Sequence, residues 1–301
     1  MYTKYFGFSA KPFSLIPDAR AIYFSRGHRA AFAMLEYGLL EQVGITVITG
    51  EVGAGKTTLV RHLLRRIDYG TLTLGLVSTT HRSFGSLLKW ILAAFRIEAP
   101  AEDEGAMLQR VQDFLIEQYA EGRRTVVIID EAQNATADDL ESLRLLTNIN
   151  ADGNQLLQVL LVGQPQLLAT FQDPNMSQLA QRVSAEYNLT PLSAPETICY
   201  INHRIQAVGG VRNIFETPAA LGVYYYSGGV PRVVNTLCDG ALVYAYAHDM
   251  HGVDLDAVLE VVKTKQIGGI HRPGIDLNPD REAVRQDIRH GQGVDMLALV
   301  G

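Results

Sequence analysis

The sequence predicts an α/β protein in which a parallel sheet flanked by helices is followed by an all-helical domain. Two observations lead to this prediction: short apolar strands alternate with amphipathic helices up to about Pro191, and only helical patterns follow. Short, continuously apolar strands that alternate with helices are typical of a parallel sheet covered on both faces. We therefore place a domain boundary close to residues 192–195.

The expected elements follow in chain order. Apolar spacing predicts a helix over 28–43, a strand over 45–49, and a helix over 57–67 after a glycine-rich turn. Further strands are predicted at 71–77, 125–130, 156–162 and 187–189. Further helices are predicted at 84–95, 105–121, 137–149, 178–183, 195–208, 218–227, 231–248 and 255–264. Thr136 and Asp139 form a plausible capping pair for one of these helices, and prolines in the first turn favour three others.

These patterns divide the chain into four parts. Residues 1–27 are dense in aromatics and prolines, which predicts an ordered, extended arm because closely spaced aromatics require burial. An α/β domain is expected over 28–193 and a helical lid domain over 194–265. Residues 266–301 combine glycines, prolines and mixed charge, and we expect them to form a loosely ordered tail.

Composition excludes several classes of protein. The 301 residues are 47% hydrophobic and 19% charged, which excludes a disordered chain. A net charge of −6 makes non-specific nucleic-acid binding by bulk charge a poor fit. The two cysteines support neither a disulfide framework nor a zinc ribbon. Because neither a signal peptide nor a membrane span is evident, a cytoplasmic location is expected, with any attachment to the inner membrane left to a partner.

A phosphate-binding loop is the strongest motif. The sequence fits G-x-x-x-x-G-K-[ST] with Gly50, Glu51, Val52, Gly53, Ala54, Gly55, Lys56 and Thr57. Glycines let backbone N–H groups converge on phosphate oxygens, Lys56 would reach the β- and γ-phosphates, and the Thr57 hydroxyl would bind Mg²⁺. A predicted strand before the loop and a predicted helix after it supply the required context. The motif therefore predicts a nucleotide site.

A second motif supplies carboxylates. Four apolar residues, 126–129, are followed directly by Asp130 and Glu131, which predicts a buried strand with two acids at its carboxyl edge. Ligands bind at that edge in open α/β sheets. Asp130 is expected to hold Mg²⁺ through water, and Glu131 to polarise the attacking water. The alternative is a surface turn with two solvated acids.

The combination of loop, Asp-Glu strand and helical lid resembles the AAA+ ATPases. Two segments are similar, more narrowly, to the ExeA (general secretion pathway protein A) family: Lys11-Pro12-Phe13-Ser14-Leu15-Ile16-Pro17-Asp18 and Asp130-Glu131-Ala132-Gln133. Other segments resemble the branch associated with exosortase and exopolysaccharide loci: Tyr37-Gly38-Leu39, Gly50 through Val60 with Thr58 after the loop, Gly163-Gln164-Pro165 and Asn235-Thr236-Leu237-Cys238-Asp239. The similarity covers about residues 1–265.

The resemblance implies further site residues. Gln164 occupies the position of a polar sensor of the γ-phosphate; alternatively, it is a polar residue that opens a loop before Pro165. Arg182 matches an arginine finger that reaches a neighbouring subunit's ATP, and a surface ion pair is the alternative. Arg232 lies in the predicted first turn of a lid helix and matches the position of a second sensor of the ATP phosphates. A cation there opposes the helix dipole, which is unfavourable unless an anion such as phosphate lies nearby.

The resemblance also implies cofactors and partners. MgATP would be hydrolysed at subunit interfaces of a ring-type homo-oligomer, with a hexamer as the expected size. The ring would act on envelope secretion or polysaccharide-export proteins. From the sequence we expect no membrane span, and no peptidoglycan-binding domain after residue 265, unlike in longer ExeA proteins.

A DNA-transaction regulator is the alternative function, because transposition ATPases share this core. A cluster of arginines favours it: Arg61, Arg65 and Arg66 with Arg123 and Arg124. The net charge argues against it, and so does the absence of room for a winged-helix module. DNA is therefore an unexpected but open partner.

Overall fold

The computed structural model describes residues 1–15, 22–78, 86–98 and 103–264. Three of the predictions extend outside the described residues: the end of the amino-terminal motif (16–18), the start of the helix predicted at 84–95, and the tail over 266–301. Contacts divide the chain into two units. Among the described residues, an α/β unit contains those of 26–51 and 56–189, and a helical unit contains those of 1–25, 52–55 and 190–264.

The predicted five-stranded parallel sheet is confirmed. Its strands are β1 Ile45–Gly50, β2 Leu72–Val77, β3 Arg124–Ile129, β6 Leu157–Gly163 and β7 Val183–Leu189, in the spatial order β2-β3-β6-β1-β7. Every pairing is parallel. The strands β1 and β6 are buried at every position, as expected for a sheet with both faces covered. A separate two-stranded hairpin pairs β4 Asn150–Ala151 with β5 Asn154–Gln155.

Twelve α-helices are present in the described residues. Those of the α/β unit are α2 Arg26–Leu40, α3 Lys56–Leu64, α4 Leu87–Phe95, α5 Glu104–Ala120, α6 Ala137–Leu146, α7 Gln166–Phe171 and α8 Ser177–Ala180. Those of the helical unit are α1 Tyr2–Tyr5, α9 Ala194–Gln206, α10 Thr217–Ser227, α11 Pro231–Ala247 and α12 Leu255–Thr264. None of the helices in these described parts combines the length and hydropathy that a membrane crossing requires.

Local chemistry explains several helix starts. The predicted Thr136–Asp139 pair forms a capping box at the start of α6, in which each side chain binds the other residue's backbone N–H. Asp103 caps α5 by accepting from two backbone N–H groups, and Ser193 forms a capping box with Glu196 at α9. Such caps satisfy N–H groups that a helix leaves without internal partners.

The structure corrects the helix predicted at 178–183. The helix α8 ends at Ala180, and Val183 instead begins β7, where it pairs with Ile45 of the central strand β1. A β-branched residue fits this pleated surface, and tertiary pairing prevails over the weak helical pattern. The hairpin was also not predicted. Its turn depends on Asp152 and Gly153, both at positive φ, which is the conformation that tight hairpins require.

The amino-terminal arm packs into the core of the helical unit. Tyr2, Phe8 and Phe13 are buried in the same cluster as side chains of α9–α12. Arg204 of α9 fixes the arm by donating to the carbonyls of Pro12 (2.7 Å) and Ser14 (3.3 Å). The prediction of an extended arm was wrong at residues 2–5, which form the short helix α1. This helical turn places the Tyr2 hydroxyl within hydrogen-bonding distance of Asp239 in α11.

Phe13→Ala should lower the free energy of unfolding by about 3–5 kcal/mol, the usual cost of truncating a buried aromatic. Phe13 is only 1% exposed and meets the ring of Phe215 edge-on at 5.8 Å. Leu15→Ala is the matched control, since Leu15 is 54% exposed and should change stability by roughly 0.5 kcal/mol or less. Urea unfolding of both variants makes the comparison, and equal losses would contradict the burial of the arm.

Candidate functional site

The phosphate-binding loop joins the carboxyl end of β1 to the start of α3. Gly50 ends the strand and Lys56 begins the helix. Gly53 and Gly55 have φ of +83° and +106°, a conformation that strongly favours glycine. At Gly50 the requirement is space, since a Cβ there would lie 2.6 Å from the carbonyl oxygen of Leu189 in β7. Three of the motif's glycines therefore have a structural requirement.

Lys56 is a buried cation at this loop. Its Nζ donates to the carbonyls of Gly50 (2.6 Å) and Glu51 (3.0 Å), and the residue is 8% exposed. Burial lowers the pKa of Lys56, while the negative charges of Glu131, Asp130 and Glu51 oppose that change. The ammonium is thus desolvated, and it is the kind of group to which a phosphate anion binds strongly.

Thr57 and Asp130 are brought together as the two motifs require. The Thr57 hydroxyl donates to Asp130 Oδ2 at 2.9 Å, although the two residues are 73 positions apart. Asp130 directly follows β3 and is 8% exposed. A hydroxyl and one carboxylate suit Mg²⁺, which keeps several waters and also uses substrate oxygens. In the described residues no cluster of three or more His, Cys, Asp or Glu side chains could hold a metal alone.

Glu131 has an unusual backbone. Its φ is +56° in the left-handed region, and it precedes a short 3₁₀ turn formed by Ala132–Asn134. Non-glycine residues in this region cost conformational energy and often occur at functional sites. The backbone N–H of Glu131 donates to Asp130 Oδ1 at 2.9 Å. The chain therefore turns sharply at the second acid of the motif.

Gln133 is a residue of this site that the sequence reasoning did not select. Its Nε2 donates to Glu131 Oε2 at 2.6 Å, and its Oε1 accepts the backbone N–H of Gln164 at 2.9 Å. Gln164 directly follows β6, so the predicted sensor position lies at the same carboxyl edge of the sheet as Glu131. The segment from Asp130 to Gln133 was noted in the sequence only as a family resemblance. Spacing alone does not reveal that the Gln133 side chain folds back onto Glu131.

Arg182 lies between α8 and β7. Its guanidinium donates through Nη1 to the carbonyl of Thr147 (3.1 Å) and through Nη2 to Asn148 Oδ1. Thr147 is the residue that follows the last turn of α6, where a cation is favourable to the helix dipole. The guanidinium thus binds a carbonyl and an amide within its own chain, and not the carboxylate of a surface ion pair.

Comparison with known proteins now identifies the kind of molecule. Residues 40–171 match the family described as an AAA domain. The chain is 41% identical over 257 residues to general secretion pathway protein A of Aeromonas hydrophila, which covers 84% of this chain. The chain contains an AAA domain and is similar to general secretion pathway protein A. The chain spans 46% of that relative's length.

Solved structures support the AAA+ fold. The ORC2 protein of Aeropyrum pernix, in ADPNP and ADP complexes, is similar with a TM-score of 0.63 and 20% identity, over 86% of this chain and 73% of that one. Cdc6p of Pyrobaculum aerophilum has a TM-score of 0.65 and 15% identity, over 84% and 70%. At these identities the likeness concerns the fold alone. The AAA domain and its phosphate-binding loop support ATP binding by this AAA+ protein.

Arg232 lies in the helical unit of the AAA+ protein. Pro231 opens α11, which leaves Arg232 in its first turn. Its backbone N–H donates to the carbonyl of Gly53 at 3.2 Å, and Gly53 is grouped by contacts with the same unit. A Cβ on Gly53 would lie 2.5 Å from the Cβ of Arg232. The second predicted sensor residue therefore packs directly on the tip of the phosphate-binding loop.

Three of the five arginines considered as a DNA-binding cluster have protein partners. Arg66 pairs with Glu36 at 3.2 Å and lies over the ring of Phe32. Arg123 binds Glu121, and Arg124 donates to the carbonyl of Leu39 at 3.0 Å. These contacts link helices and strands of the α/β unit, which is the ordinary structural use of surface arginines.

Proposed function

We propose that this AAA+ protein binds MgATP and hydrolyses it to ADP and phosphate. The observation that carries the proposal is the convergence of Lys56, Thr57, Asp130 and Glu131 at the carboxyl edge of one parallel sheet. The loop from Gly50 to Thr58 would bind the phosphates through backbone N–H groups and the start of α3. Lys56 would leave its carbonyl partners for the β- and γ-phosphate oxygens.

The two acids have different tasks in this proposal. Thr57 and Asp130 would hold Mg²⁺, which would neutralise charge on the β- and γ-phosphates. Glu131 would accept a proton from the attacking water, because its carboxylate is the base at the site not needed for the metal. Gln164 would contact the γ-phosphate from the end of β6. Arg232, which packs against Gly53 of the loop, would supply a further cation.

We propose further that sites are completed by a neighbouring copy in a ring-type homo-oligomer, for which a hexamer is the expected size. Arg182 would donate to the γ-phosphate of the adjacent subunit. Its present partners, Thr147 and Asn148, follow the last turn of α6 and are neutral. An anionic phosphate is a stronger acceptor for a guanidinium than either neutral group, so exchange of partners on assembly is physically reasonable.

The pathway proposal rests on the similarity to general secretion pathway protein A. We place this AAA+ protein in assembly or remodelling of an envelope secretion system or an exopolysaccharide export system. The described helices offer no membrane crossing. We propose that a partner protein makes any contact with the inner membrane.

Lys56→Ala should abolish tight ATP binding, because it removes the buried cation at the loop. Glu131→Gln should keep ATP binding and lower kcat by about 10²–10⁴, the range for loss of a general base. Calorimetric binding and phosphate release measure the two effects. Glu141→Gln, at an exposed carboxylate of α6, is the control. Tight binding by Lys56→Ala, or normal turnover by Glu131→Gln, would contradict the assignment.

Arg182→Ala should lower kcat by about 10³ or more, the scale for an arginine finger, while ATP binding stays intact. Mixing it with Lys56→Ala should restore part of the turnover, since mixed interfaces combine an intact loop with an intact arginine. Arg144→Ala, which removes a half-buried arginine paired with Glu141, is the control. Absence of turnover in mixtures shown by sedimentation to co-assemble would reject the shared site.

Turnover titrated with duplex DNA at fixed, moderate salt tests the alternative function. We expect no stimulation, because Arg66, Arg123 and Arg124 already bind protein groups and the net charge is −6. Saturable stimulation of several-fold would instead favour a DNA-dependent regulator. The variant Arg61→Ala with Arg65→Ala would then show whether the exposed residues at the end of α3 make the contact.

A further inference from the structure

We propose that Gln133 is a positioning residue that fixes the carboxylate of Glu131 relative to the backbone at Gln164. The orientation of Glu131, the proposed general base, then depends on the end of β6, where Gln164 would contact the γ-phosphate. This inference rests on the proposed ATP hydrolysis and deepens it. It concerns a residue that makes no contact with the phosphates in the scheme above.

The donors and acceptors determine how the amide of Gln133 lies. The backbone N–H of Gln164 can only donate, so it must meet the amide oxygen, at 2.9 Å. An ionised carboxylate can only accept, so Glu131 Oε2 must meet the amide nitrogen, at 2.6 Å. An amide side chain satisfies both at once. A carboxylate at position 133 cannot donate, and an apolar side chain can do neither.

The local backbone makes this bridge possible. The left-handed φ of Glu131 starts the 3₁₀ turn that places residue 133 beside residue 131. Ala132, inside the turn, is fully buried and anchors it in the core of the α/β unit. The negative charge of the carboxylate so held acts on Lys56, so Glu131 and this lysine belong to the same site. The bridge therefore ties one oxygen of the Glu131 carboxylate to the backbone at the end of β6.

Gly163 provides the space for the bridge. A Cβ on Gly163, the last residue of β6, would lie 3.0 Å from Gln133 Oε1 and 3.2 Å from the backbone nitrogen of Gln133. Both distances are tighter than ordinary contacts with a Cβ. Displacement of the end of β6 is thus transmitted to the amide of Gln133, and from there to Glu131. Contact of Gln164 with a γ-phosphate would act through the same path.

Gln133→Met tests the role, because it keeps the length of the side chain and removes both hydrogen bonds. We expect kcat to fall about tenfold or more, the scale for loss of a hydrogen bond to a charged group, with the ATP dissociation constant and Tm unchanged. Gln133→Glu should lose turnover as well, because it cannot donate to Glu131. Gln166→Met, at an exposed glutamine nearby in sequence, is the control and should retain normal kcat.

A double-mutant cycle separates positioning from a structural role. If Gln133 acts through Glu131, then adding Gln133→Met to Glu131→Gln should lower the residual rate no further. Gly163→Ala supplies an independent variant and should reproduce the kcat loss with ATP binding retained. Normal kcat in Gln133→Met, or additive losses in the cycle, would overturn the inference while the proposed hydrolysis stands. Absence of turnover in the wild-type protein would instead reject the proposed function itself.

Discussion

The candidate site depends on the parallel register of three neighbouring strands. Thr49 of β1 pairs with Gly163 of β6, and Ile129 of β3 pairs with Leu161 of β6. These pairs bring the last residues of the three strands to one edge of the sheet. The loop after β1, the acids after β3 and the glutamine after β6 consequently meet, although more than 100 residues separate the first from the last. Buried apolar strands fix this register, because a shift would break packing on both faces.

The sequence predicted the parts of this arrangement that depend on periodicity or on a motif. Apolar runs indicated all five strands, and the glycine-rich loop and the Asp-Glu pair indicated which strand ends carry chemistry. Thr57 and Asp130 do meet, as their motifs require. These patterns can be recognised in the sequence because each follows from a local requirement, such as burial of a strand on both faces or a glycine at positive φ.

Features that depend on contacts between distant segments were not predictable in the same way. The strand β7 begins at Val183 because β1 provides a partner there, not because of its own pattern. The bridge through Gln133 requires a left-handed Glu131 and the missing Cβ of Gly163, and no spacing rule connects these residues. Similarly, the arginine at 182 lies where its sequence position suggests, but only the structure shows its bonds to the residues that follow α6.

The charges at the site constrain the form in which a nucleotide could bind. One buried lysine, Lys56, is surrounded by three acids whose charges act on it: Glu131, Asp130 and Glu51. A free triphosphate approaching this group would meet more negative than positive charge within the α/β unit, and such repulsion is strong where water is excluded. A divalent cation held at Asp130 would reverse that balance. The acids to which we assign roles in hydrolysis would therefore also favour the metal complex of the nucleotide over the free anion.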